Sequence, residues 1–180
     1  LEEIQDGQAP DVWMGSGGEL ENGAEERAPA GPVLTAEDVR ELESMCEGVS
    51  GYFYKMLNFL EERLQDGVRR GRFTWERVRA DLDTALWYSY ICNNVDEYEY
   101  YYRAAQWMPD SEQAAEQARS GVWYYRYACA LTYCGRLEEA LKYAEKGVGL
   151  DPEYVWGWLM YGRLLSHFGD REGALAAADR

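Results

Sequence analysis

From Gly121 to Tyr154 the chain reads GVWYYRYACALTYCGRLEEALKYAEKGVGLDPEY, and from Val155 to Arg180 it reads VWGWLMYGRLLSHFGDREGALAAADR. The two lines match at a spacing of 34 residues. Tyr124 recurs as Trp158, Tyr127 as Tyr161, Ala128 as Gly162, Leu131 as Leu165, Gly135 as Gly169, Ala140 as Ala174, Leu141 as Leu175 and Ala144 as Ala178. Each copy places one run of helical length before its glycine and another after it, which predicts helix, tight turn, helix. Leu150-Asp151-Pro152 closes the complete copy. Ala128 and Ala140 are small where two antiparallel helices must approach closely, and Tyr124, Tyr127 and Leu131 supply bulk around them. Self-similarity at this period predicts an all-α chain built as an α-solenoid of antiparallel helix pairs.

The order aromatic, small residue, aromatic, Gly turn, Ala, closing Pro resembles the tetratricopeptide repeat family, clearly over residues 121–178. That family forms a right-handed superhelix, and the resemblance implies the same here. Setting Pro109 on Pro152 puts Tyr101, Ala104, Ala105 and Trp107 at family positions. Glu97 then replaces the usual Ala and Cys92 the turn Gly, so 74–109 reads as a degenerate repeat. The two prolines stand 43 residues apart, nine more than the period. Those nine, rich in helix formers from Glu112 to Ala118, predict a first helix extended backward to Ser111, with Gly121 as its weak point. Units at 110–152 and 153–180 follow, the last ending inside its second helix. Ala144 and Ala178 stand where the family has an aromatic, so either Tyr143 fills the room or the helices sit closer. Gly147 replaces an Ala and is expected to loosen its helix by roughly 0.5–1 kcal/mol.

Upstream, residues 1–34 hold three of the five prolines, six glycines, eight acidic residues and one Arg, which predicts a disordered acidic linker or tail. Its apolar cluster is Val12, Trp13 and Met14. Residues 35–73 predict helical structure packing on the repeats. Thr35 is a cap candidate, and Val39, Leu42, Cys46, Val49, Phe53, Met56 and Leu60 form one apolar stripe, with a break expected at Gly48 to Gly51. Arg69, Arg70 and Arg72 suit either the closing end of that helix or an anion site. Thr74 is a second cap, with Phe73 and Val78 placed as a staple, and the stripe from Trp75 predicts helix to Ile91. A turn is expected at Asn93-Asn94, then a helix from Val95 to Trp107. The chain begins at Leu1 without Met and stops at Arg180 within a repeat, so a longer protein is expected.

Composition narrows the function. A net charge of −15 opposes phosphate backbones, so nucleic acid is not the expected partner. No apolar run reaches the roughly 20 residues of a membrane helix. The four cysteines form no Cys-x-x-Cys pair and read as small buried hydrophobes of a reducing, cytoplasmic setting. No metal site and no cofactor are expected. His167, the single histidine, lacks a nucleophile or acid at motif spacing and reads as a helix C-terminal residue rather than a catalyst. Gly15-Ser16-Gly17-Gly18 has no strand before it and no Lys after it, so it is no phosphate loop. No catalytic residue is assigned.

What remains are the aromatic clusters Tyr98–Tyr102 and Trp123–Tyr127. Successive helical residues turn about 100 degrees, so these rings must serve two neighbours or line a groove. In the resembled family the first helix of each repeat forms a concave binding face. That implies a peptide groove at Tyr125, Arg126, Cys129, Tyr133, Trp156, Leu159, Met160, Arg163 and His167. The expected function is a non-catalytic module for a protein or peptide partner, with a structural spacer as the alternative and an enzyme third. Self-association through the open C-terminal end is a further expectation.

Overall fold

The computed structural model describes residues 31–46 and 52–180, all of them helices, turns and connections without a strand. Val12 to Met14, the Gly15 to Gly18 run and the Gly48 to Gly51 break lie outside the described residues. Packing starts ahead of Thr35, because Val33 and Leu34 are already in the core. Helix α1, Ala36–Cys46, is opened by a reciprocal cap: Asp38 N–H donates to Thr35 Oγ1 at 3.1 Å and Thr35 N–H to Asp38 Oδ2 at 2.9 Å. The second Asp38 oxygen meets Arg63 Nε at 3.3 Å, which ties α1 to α2, Phe53–Arg69. Leu42, Met56 and Leu60 of the predicted stripe are buried, whereas Cys46 is exposed. Asp66 pairs with Arg69 at 2.6 Å and Arg70 at 2.7 Å, and the Arg72 guanidinium sits 5.4 Å from the Phe73 ring. The basic cluster is thus engaged at the end of its own helix.

Three predicted helices differ from those observed, each for a local reason. The stripe from Trp75 to Ile91 divides into α3, Trp75–Ala80, and α4, Leu82–Val95. Asp81 between them is extended, and its carboxylate accepts from Thr84 N–H at 2.9 Å, a cap that competes with continuing the helix. The turn falls at Asp96 (φ 59°), not at Asn93-Asn94 and four residues beyond Cys92. Asn94 instead donates to Tyr90 O at 2.8 Å within α4. Asp96 tolerates the left-handed conformation and accepts from Tyr101 Oη at 2.8 Å on α5, Tyr98–Trp107. The extended helix expected from Ser111 is two pieces. A 3-10 turn, Met108–Ser111, leads to the short α6, Glu112–Gln117, and Arg119 turns left-handed (φ 51°) before α7, Gly121–Tyr133, whose cap is Ser120.

The two clear copies are α7 with α8, Leu137–Leu150, and α9, Val155–His167, with α10, Arg171–Ala178. Their turns rest on Gly135 (φ 75°) and Gly169 (φ 85°), where a side chain would be strained. Helix α7 is central, packing on α4, α5, α8 and α9. Trp123, Tyr124, Tyr127, Ala128 and Leu131 are its buried side, and the Trp123 indole N–H donates to Ser111 Oγ at 2.8 Å. Tyr143 fills the room beside Ala144, its ring centroid 4.6 Å from that of Tyr127. The helices also sit close: a Cβ at Gly147 would stand 2.6 Å from Tyr124 Cβ. Gly147 is therefore a contact surface and not a loose point. Of the cysteines only Cys92 is fully buried; Cys129 and Cys134 are half-buried, which corrects the uniform burial expected. Among the described residues no helix is long and apolar enough to cross a membrane.

Candidate functional site

A cleft of about 300 Å³ opens where α4, α7 and the start of α9 meet. Tyr90, Asn93 and Asn94 line it from α4, Tyr125, Arg126 and Cys129 from α7, and Tyr154 and Trp156 from the entry to α9. The wall is aromatic. Tyr125 and Tyr154 meet edge to face with centroids 5.9 Å apart, and Trp156 remains 56% exposed at the mouth. Consecutive residues of α7 serve opposite sides: Trp123 and Tyr124 enter the core while Tyr125 and Arg126 turn to the cleft, as the helical step requires.

Arg126 is the one charged lining residue. Its guanidinium donates through Nη1 to Leu86 O of α4 and lies 5.1 Å from the Tyr90 ring. Burial holds it below the usual arginine range, opposed by Tyr154, Tyr90 and Tyr125, and no carboxylate pairs with it among the described residues. Asn93 Nδ2 donates to Arg126 O at 3.0 Å, which fixes the amide and leaves Asn93 Oδ1 buried without a partner. Burial pushes the Cys129 thiol up to about 11, against the opposing positive charge of Arg163. The thiol is therefore protonated at neutral pH, an apolar-like patch rather than a nucleophile.

Of the nine residues expected on this face, Tyr125, Arg126, Cys129 and Trp156 are brought together. Leu159 and Arg163 are exposed farther along α9. Tyr133 is exposed but stacks on Tyr101 at 4.2 Å, away from the cleft. His167 is exposed at the end of α9 with its ring against Phe168. Met160 is a correction: at 6% exposure it belongs to the core beside Leu164 and presents nothing to a partner. Tyr90, Asn93, Asn94 and Tyr154 were not foreseen. Tyr90, Asn93 and Asn94 stand at i, i+3 and i+4, so continuing the expected helix past Ile91 would have put all three on one face. Among the described residues no three His, Cys, Asp or Glu side chains group as a metal site would require. No known protein-family model and no curated protein matches the chain.

Proposed function

We propose that this chain is a non-catalytic binding module similar to tetratricopeptide repeat proteins. In this reading α4 with α5, α7 with α8 and α9 with α10 stack as a right-handed solenoid, and the first helix of each pair faces a protein or peptide partner. The observation that supports it is the cleft itself, whose lining comes from α4, α7 and the entry to α9, with aromatic rings around a single cation. Aromatic walls supply large contact area at low entropic cost, and fixed polar groups supply orientation.

The test is to pan a random peptide library against the chain and against a variant carrying Tyr125→Ser and Trp156→Ala. Peptides enriched on the parent protein should lose at least about tenfold in affinity on the variant, since aromatic anchors carry most of such binding energy. Peptides that bind both proteins equally would remove the groove from the reading, and the spacer alternative would replace it.

A further inference from the structure

Arg126 is held in a way that a purely structural arginine does not require. Its anchor on Leu86 O uses one of five N–H donors, and it stands half-buried among the cleft's rings with no carboxylate among the described residues as its counter-ion. A guanidinium in such a place is costly unless paired, and a planar carboxylate matches its geometry best. Its conformation is already set by the Leu86 and Tyr90 contacts, so little further ordering would accompany binding. The cleft is side-chain-sized, and the ring faces of its walls favour an aromatic neighbour for the acid. Leu159 and Arg163 lie exposed beyond Trp156, so a bound chain can run on across α9 rather than end in the cleft.

We propose that the cleft over Arg126 takes the carboxylate of an Asp or Glu side chain that stands beside an aromatic residue in a partner segment. The proposal rests on the groove reading above and specifies its partner class. The overall charge of −15 repels an acidic partner at a distance, so recognition is local: one buried pair, with no general attraction for polyanions.

The probe is 3-(indol-3-yl)propionate against its carboxamide, the same ring with and without the anion, titrated into the full chain. Binding is followed by NMR at the Arg126 Nε–Hε and Trp156 indole N–H signals. The carboxylate is expected to bind at least about tenfold tighter, as a charge-assisted pair should. Raising salt from about 0.02 to 0.15 M should not weaken it, because the pair is buried and the long-range field is repulsive. In Arg126→Met the preference should vanish. That variant also loses the Leu86 anchor, so the comparison on the unaltered chain decides. Equal affinity for acid and amide would overturn the acidic-side-chain proposal while the peptide-groove reading stands on its library result. Absence of both shifts, together with a library that yields no binder, would overturn both.

Discussion

Tyr124 brings its Cβ against the bare backbone of Gly147, so close that a Cβ at 147 would be 2.6 Å from it. Neither atom can swing away, because each is fixed to its backbone. In an open helix Gly→Ala stabilises by about 1 kcal/mol. Here Gly147→Ala is expected to destabilise by about 1–3 kcal/mol, as overpacking does. Urea unfolding measures it, and a neutral or stabilising result would mean that α7 and α8 are not this close. Combining it with Tyr124→Gly should show non-additivity, since only loss of the facing Cβ removes the clash.

Thiol reactivity should follow burial. Burial pushes the Cys92 thiol up to about 12 and Cys129 up to about 11, and Cys134 is also raised. Cys46 is exposed. Iodoacetamide at pH 8 should label Cys46 first and Cys92 only after unfolding, read by mass spectrometry. Early loss of Cys92 would contradict the packing of α4 against α5 and α2.

Alkali should unfold the protein through its tyrosines. The phenol of Tyr54 is raised to about 12, chiefly by its hydrogen bond to Glu97, and burial raises Tyr143 to about 12. Burial lifts Tyr88 and Tyr101 further. A folded pKa above the unfolded value contributes stability that is complete below about pH 10 and lost as pH rises through the folded value. Absorbance at 295 nm should therefore lag behind free tyrosine between about pH 10 and 12, then rise together with loss of helical circular dichroism. A simple titration centred near pH 10, with the helices intact, would count against the burial.

Helix α6 depends on α8. Lys146 Nζ meets Glu112 at 2.9 Å and Glu116 at 3.1 Å, and Tyr143 Oη donates to Glu112 at 3.2 Å. These groups are partly exposed, so Lys146→Met should cost only about 0–1 kcal/mol globally. Its visible effect should be faster hydrogen exchange confined to 112–118. Exchange unchanged there would show that Ser111 and Ala115 alone hold the segment.

Exchange should also be faster in α10 than in α7. Only Ala177 of α10 is buried, and Leu175 is 69% exposed. Equal protection in the two helices would indicate that a second copy covers α10, which sedimentation at several concentrations would detect.

What was legible in the residues was whatever is decided within one turn. Gly135 and Gly169, the caps at Thr35 and Thr74, and the stop at Asp151-Pro152 are local, and helix ends agree there. Asp81, Asp96 and Arg119 were not legible as breaks, because each lies inside a pattern that is periodic on both sides. The cleft was half legible. Arg126 and Met160 occupy the same place in successive copies, 34 residues apart, and a repeat argument treats them alike. Yet one reaches Leu86 at the floor of an opening and the other is core. Which equivalent position opens to solvent depends on the preceding pair, α4 with α5, whose sequence departs from the 34-residue pattern.

The bond from Arg126 to Leu86 O makes a joint of the cleft floor. Tension on anything gripping Arg126 would pass straight into the backbone of α4, and through Tyr88, Ile91 and Cys92 into the core shared with α2. The site is thus mounted on the N-terminal half of the chain as firmly as on the repeats. Loosening α2 from α4 would be felt as a change of grip, even though no residue of α2 lines the cleft.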